Sequence, residues 1–136
     1  MKTFNLYYAK HDWLVRVYVA VDTYYVEDIV EMLQTIGCSR KDCARAKGNL
    51  TSGYLDTGLC YSNYKDRISV LVIGKTSSSG QFLNSLTHEV THLATHIAGA
   101  SGIDLLSEDL CYMAGDIAMM MYDRCHDLLC CKCRRK

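Results

Sequence analysis

The sequence lacks several features that mark particular classes of protein. It has no proline, no internal repeat and no long linker, and Lys+Arg and Asp+Glu number 15 each. A balanced charge gives no reason to expect a nucleic-acid or acidic-membrane partner, and no apolar stretch approaches the length that spans a bilayer. Lys10, His11 and Asp12 interrupt the apolar region that a signal peptide would need. We therefore expect one cytoplasmic domain over residues 1–136.

The chain contains eight cysteines, an even number that is compatible with a disulfide framework. Such frameworks occur in exported proteins, and no export signal is visible. The spacing of Cys38 and Cys43, and of the cluster from Cys125 to Cys133, differs from the paired C-x2-C spacing of common zinc modules. We therefore expect free thiols, with a second, structural metal site in the cluster as the less favoured alternative.

Residues 3–37 carry the patterns of two strands and a helix. "TFNLYYA" and "WLVRVYVAV" are predicted strands joined by a tight turn, and the valines of the second alternate as on a strand with one face on a core. "TYYVEDIVEMLQTIG" is a predicted helix with an apolar stripe, capped by Asp22 or Thr23 and ended by Gly37.

The remaining predicted elements are one strand rich in β-branched residues and two helices. Residues 38–66 are polar and include, in "GYLDTGLCYS", a short strand at most, whereas "RISVLVIG" (67–74) is rich in β-branched residues and predicts a strand. Ser78 and Gln81 match a capping box at the start of a helix over about 80–98, and a last helix covers about 107–129. This order predicts an α+β domain, with an antiparallel or mixed sheet packed against these two helices.

The first of these helices contains the motif His88-Glu89-Val90-Thr91-His92, or HExxH. Residues four apart share one face of a helix, so both imidazoles can reach one zinc ion while Glu89 approaches a water molecule there. Zinc lowers the pKa of such a water, and a carboxylate can take its proton during attack on a carbonyl. The motif predicts His88 and His92 as metal ligands and Glu89 as the general base.

The helical wheel separates these histidines from the predicted apolar stripe of the same helix, which comprises Leu83, Leu86, Val90, Leu93 and Ile97. A helix packed on one side with ligands on the other suits the wall of a cleft. The alternative is a surface helix whose polar face happens to contain histidines. His96 continues this face by one turn, and we interpret it as an outer neighbour of the metal or a solvated side chain.

A catalytic zinc ion takes three protein ligands and keeps one position open. After "GASGID", Asp104, Glu108 and Asp109 are the available carboxylates. The predicted stripe of the last helix is Leu110, Cys111, Ala114, Ala118 and Met121. On that wheel Glu108 lies at the edge of the stripe and Asp109 faces water. Glu108 is the favoured third ligand, with Asp104 and Asp109 as alternatives.

HExxH on one helix with a glutamate on the next resembles the gluzincin arrangement of zinc metallopeptidases. Residues 68–117 resemble the core of small metallopeptidases encoded by phages and prophages, with "EDLCYMAG" in place of their Glu-x-x-Ala-Tyr-like run. The resemblance implies a zincin-like fold, ligands His88, His92 and Glu108, and Glu89 as base. It also implies that "RISVLVIG" offers an exposed edge to a peptide or protein substrate. Tyr112, His96 and His126 are candidates for stabilising the transition state.

Two functions from different classes follow from these motifs. The favoured one is a zinc-dependent, metallopeptidase-like hydrolase. The alternative is a non-catalytic, zinc-stabilised interaction module, in which a further protein ligand such as His96 or Asp104 would close the site that a hydrolase leaves to water. A metal-free adaptor is disfavoured by the motif.

Overall fold

The computed structural model describes residues 1–130, which fold as an α+β domain around a four-stranded mixed sheet. The strands are β1 (Lys2–Tyr8), β2 (Trp13–Val21), β3 (Gly58–Asn63) and β4 (Ile68–Gly74). The helices are α1 (Val26–Thr35), α2 (Arg40–Thr51), α3 (Ser79–Ala100) and α4 (Glu108–Cys125). Among these helices none is both long and apolar enough to cross a membrane. The predicted α+β class is confirmed, and of the two predicted kinds of sheet, antiparallel or mixed, the sheet is mixed.

The sheet has the strand order β1-β2-β4-β3 and is covered by helices on both faces. β1 and β2 form an antiparallel hairpin, β2 runs parallel to β4, and β3 runs antiparallel to β4. One core lies between the sheet and helices α3 and α4, and a second lies between the sheet and helices α1 and α2. The alternation of β2 supplies both cores, because Val17 faces the first and Tyr18 the second.

Strand β4 is an interior strand of the sheet, so the expectation that "RISVLVIG" offers an exposed edge is wrong. The polar segment before it forms the full strand β3, which pairs along β4 from Gly58↔Ile73 to Asn63↔Ile68. β2 occupies the other side of β4. In the described part of the chain, the edge next to α3 therefore belongs to β3.

Helix α3 begins as predicted, since the Ser78 side chain accepts a hydrogen bond from the backbone N–H of Gln81 at 3.0 Å. One residue of the predicted stripe is not buried: Leu83 is 52% exposed, and the neighbouring Phe82 is buried instead. Leu86, Val90, Leu93 and Ile97 are buried as expected. The face that carries His88 and His92 is exposed.

Helix α4 is rotated relative to the prediction. Its buried residues are Met113, Ile117, Met121 and Cys125, while Cys111 and Ala118 are exposed. At about 100° per residue, Glu108 lies about 160° from the centre of this buried face and Asp109 about 100°. Glu108 therefore does not lie at the edge of the buried face, as the predicted stripe placed it, and Asp109 lies nearer to that face.

The cysteines of residues 1–129 are free thiols: Cys38, Cys43, Cys60, Cys111 and Cys125. This agrees with the expectation of reduced cysteines for that part of the chain. Cys131 and Cys133 lie outside the described residues, so the alternative of a metal site in the C-terminal cluster stays a prediction. Cys111 is exposed, whereas burial raises the pKa of Cys60 to about 12 and that of Cys125 to about 11.

We predict that Cys111 reacts with maleimide in the folded protein about 100-fold or more faster than Cys60 or Cys125. Alkylation requires the exposed thiolate, and each unit of raised pKa lowers the thiolate fraction tenfold. Native-state labelling followed by peptide mass mapping measures the rates. In denaturant without reductant all three should label. A cysteine that stays unlabelled in denaturant would not be a free thiol, which would contradict the prediction.

Candidate functional site

His88 and His92 converge on the exposed face of α3. Their Nε2 atoms lie 3.1 Å apart, and their ring centroids lie 4.8 Å apart. Two nitrogen ligands of a tetrahedral zinc ion, each about 2.05 Å from the metal, lie about 3.3 Å apart. The same separation also suits a hydrogen bond between two neutral imidazoles. The two rings are thus already arranged for one shared cation or one shared proton.

Glu89 lies between the two histidines in sequence but points into the protein. Its side chain is 5% exposed, and its Oε2 atom is buried without a hydrogen-bond partner in residues 1–130. Burial raises the pKa of this carboxyl above its ordinary value of 4.5, although the nearby His88 lowers the pKa. An unpartnered buried carboxylate oxygen costs stability, and such groups concentrate where a protein needs their chemistry.

Strand β3 forms the wall against which Glu89 packs. A Cβ at Gly58 would lie 2.9 Å from Glu89 Oε1 and 2.6 Å from the Val72 carbonyl oxygen. Only glycine, which has no side chain, allows the carboxylate to approach this closely. The close approach places the buried carboxylate directly against the edge strand of the sheet.

His88 and Glu89 line an open recess of about 180 Å³, together with Asp56, Gly58, Asn84 and Ser85. Both carboxylate oxygens of Asp56 are already hydrogen-bonded to Ser77. Oδ1 accepts from the Ser77 N–H and Oδ2 from the Ser77 hydroxyl, each at 2.9 Å. These bonds hold the turn before β3 against the turn before α3. The recess is therefore bounded by the start of β3 and the first half of α3.

His96 lies one turn beyond His92, with their ring centroids 6.2 Å apart. It is half-buried, and its Nδ1 atom lies 2.8 Å from Ser62 Oγ and 3.9 Å from Cys60 Sγ, both on β3. Burial and the neighbouring His92 lower the pKa of His96. The neutral imidazole is therefore favoured at this position, on the face of α3 that lies against β3.

The structure does not join the predicted third ligand to the histidine pair. Among residues 1–130, no three His, Cys, Asp or Glu side chains form a group that could hold a metal ion. Glu108 is exposed at the first residue of α4, and Asp104 Oδ1 accepts the Leu106 N–H at 3.0 Å. Asp109 lines a different recess with Lys10 and His11. The third ligand stays a prediction.

Of the three candidates for stabilising a transition state, His96 is the one whose ring lies against the histidine pair in residues 1–130. Tyr112 is 69% exposed and lines the same recess as Asp109. The His126 ring packs against Tyr122, and its Nδ1 lies 3.2 Å from that residue's carbonyl oxygen. His96 is therefore the candidate that adjoins the histidine pair.

Sequence reasoning missed the contribution of β3 to this site. Gly58, Cys60 and Ser62 alternate along the strand and face α3, where they contact Glu89 and His96. The alternation of "GLCYSN" was the available signal, but its inward face carries small and polar residues, so the pattern predicted a short strand at most and no part in the site. No family model, curated protein or solved structure matches the chain.

Proposed function

We propose that this protein is a zincin-like, zinc-dependent hydrolase that cleaves peptide bonds. One observation carries the proposal: two imidazole Nε2 atoms converge to 3.1 Å beside a buried glutamate with an unpartnered oxygen. A histidine pair on a solvated face needs no such neighbour. A general base needs a raised pKa and access to the reacting atoms, and the recess shared by His88 and Glu89 supports both requirements.

The donor set fits zinc in part. Neutral imidazole nitrogens are common zinc ligands, and the spacing of His88 and His92 suits a tetrahedral ion. Glu108 stays our proposed third ligand because of the resemblance to the gluzincin arrangement, which has a glutamate on the following helix, and not because of its place on the wheel. Binding through Glu108 requires the first turn of α4 to approach α3. When bound, zinc would polarise a carbonyl and lower the pKa of a water molecule.

Glu89 would then act as the proton carrier of the reaction. Its carboxylate takes a proton from the attacking water and passes it to the leaving amine, so that Glu89 is a carboxylate again when the reaction ends. Burial raises the pKa of Glu89, which strengthens it as a base compared with a solvated glutamate. Its packing against Gly58 restricts where the carboxylate can lie, so that the proton is transferred at one defined position.

The substrate we propose is an extended peptide segment on the free edge of β3. In the described residues β3 pairs with β4 alone, so the backbone groups on its other side remain available. An added strand there would pair through main-chain hydrogen bonds, a mode that depends little on the substrate's sequence. Gly58 at the start of β3 adjoins Glu89, so such a strand would run past the base.

The decisive measurement is metal content. We predict one zinc per chain in the wild-type protein and a loss of most of it in the His88→Ala/His92→Ala variant, because two of the ligands are removed. His11→Ala is the matched control, since His11 bonds Ser101 at a separate place. Elemental analysis that finds equal zinc in the wild type and the double variant would contradict the proposal.

A second measurement identifies the third ligand. We predict that Glu108→Ala weakens zinc affinity more than about 100-fold, beyond what changes around a metal site usually cause. Asp104→Ala and Asp109→Ala should leave the affinity nearly unchanged. Titration of each metal-free variant with zinc against a competing chelator gives the values. Weakening by Asp104→Ala or Asp109→Ala alone would reassign the ligand without affecting the histidine pair.

A further inference from the structure

His96 is the end of a chain of hydrogen bonds that begins deep in the core. Trp13 Nε1 donates to Ser69 Oγ at 2.8 Å, Ser69 Oγ lies 2.6 Å from Ser62 Oγ, and Ser62 Oγ lies 2.8 Å from His96 Nδ1. Trp13 is 1% exposed and Ser69 is fully buried. The chain crosses the sheet from β2 through β4 and β3 to α3.

The indole fixes the direction of the first of these bonds, since a tryptophan Nε1–H can only donate. Ser69 therefore accepts from Trp13 and can donate its own proton to Ser62. With Ser62 in turn as the donor to His96 Nδ1, each of the two hydroxyls donates once and accepts once. In the opposite direction Ser69 would accept twice, and its buried hydroxyl proton would have no acceptor in residues 1–130.

The consequence for His96 is a defined tautomer. Because Nδ1 accepts, a neutral imidazole must carry its proton on Nε2. The Cys60 thiol lies 3.9 Å from the same Nδ1, and burial raises its pKa to about 12, so its S–H can donate weakly to an unprotonated Nδ1. His96 Nε2 makes no hydrogen bond within the described residues and is not among their buried unpartnered atoms, so it reaches solvent.

We infer that Trp13, Ser69 and Ser62 hold His96 in its Nε2–H form, and that this N–H stabilises the oxyanion formed when water attacks the substrate carbonyl. The inference rests on the proposed function, and it excludes His96 as a zinc ligand through Nε2, because a ligating nitrogen must be unprotonated. His96 lies beside His92, and its ring is oriented by Ser62 of β3. The Nε2–H group therefore keeps its position while negative charge develops on the carbonyl oxygen. Trp13, Ser69 and Ser62 act on the reaction only through His96, as positioning residues.

The tautomer is measured on the metal-free protein with isotope-labelled histidine, by long-range proton–nitrogen correlation spectra in the neutral-imidazole range of pH. We expect His96, assigned with the His96→Gln variant, to be almost wholly Nε2-protonated. Ser62→Ala should shift it toward a mixture of tautomers, whereas Ser101→Ala, which removes the single serine partner of His11, should not. An Nδ1-protonated His96 in the wild type, or an unchanged tautomer in Ser62→Ala, would overturn the assignment.

The catalytic role is measured on the zinc-loaded protein with p-nitrophenyl acetate, whose hydrolysis also forms an oxyanion. We expect His96→Leu to keep its zinc and KM but to lose about 100-fold or more in kcat. His96→Gln, which retains an N–H donor, should recover part of that loss. Full activity of His96→Leu would refute this role while leaving the proposed function intact, and loss of zinc would make His96 a ligand instead. An inactive wild type would overturn the proposed function and this role together, whereas the spectra would still decide the tautomer.

Discussion

Glu89→Gln should stabilise the metal-free protein by about 1 kcal/mol at neutral pH, because an unpartnered buried carboxylate costs more than an unpartnered buried amide. The wild-type carboxylate is 5% exposed and leaves Oε2 without a hydrogen-bond partner in residues 1–130. A neutral amide of nearly the same shape requires less solvation than a carboxylate, so its burial costs less. A substitution that stabilises the fold while removing a reacting group is the pattern expected of an active-site residue.

The stability that Glu89→Gln gains over the wild type should depend on pH, in a direction set by the raised pKa of Glu89. Below about 4.5, its value when unperturbed, Glu89 is protonated in both the folded and the unfolded chain. As the pH rises from there toward the folded-state pKa, the folded chain binds more protons than the unfolded chain, so the wild type loses stability. Glutamine does not titrate, and the difference between the two proteins therefore grows with pH.

Urea unfolding of the chelator-treated proteins across this pH range measures the difference. Glu31→Gln is the matched control, because Glu31 is exposed on α1. In the zinc-loaded state Glu89→Gln should keep its metal but lose about 100- to 10,000-fold in hydrolysis of p-nitrophenyl acetate, the usual contribution of a general base. Loss of the metal would make Glu89 a ligand. Zinc binding without hydrolysis in the wild type would favour the non-catalytic interaction module.

Elements with strong periodicity were predictable from the sequence. β1, β2, β4, α1 and α3 have local patterns that agree with their final surroundings, whereas α4 was predicted as a helix but with a different buried face. Helix α2 was missed because its only buried residues are Cys43 and Leu50, too few to show an apolar stripe. β3 was underestimated because it pairs with β4 and accommodates α3, and such long-range contacts have no signature within the strand itself.

The site was predictable only as far as it depends on one helix. The spacing of His88 and His92 predicts their convergence, which the structure shows. The burial of Glu89 and the bonds of His96 depend on β3, so the sequence of α3 alone could not give them. The orientation of Glu108 depended on the buried face of α4, where Met113 and Ile117 are buried in place of Cys111 and Ala118. Several apolar residues at neighbouring wheel positions allow more than one stripe.

Gly58→Ala should destabilise the fold by about 1–3 kcal/mol, the usual cost of overpacking a tight contact. The added Cβ would lie 2.6 Å from the Val72 carbonyl oxygen and 2.9 Å from Glu89 Oε1. The carboxylate can move away, but Val72 lies in the interior strand β4, whose backbone is paired on both sides. Relief therefore requires β3 to shift, and such a shift would also displace Glu89 from its position beside His88.

The control is Gly115→Ala in α4, where a Cβ would have no atom within 4 Å. That substitution should stabilise by up to about 1 kcal/mol, because alanine is the better helix former. In a Glu89→Ala background the penalty of Gly58→Ala should shrink without vanishing, since the contact with Val72 remains. Urea unfolding midpoints of the four proteins in this cycle measure the coupling. A Gly58→Ala protein as stable as the wild type would show that β3 and Glu89 are not in tight contact, and that β3 does not hold the base in one position.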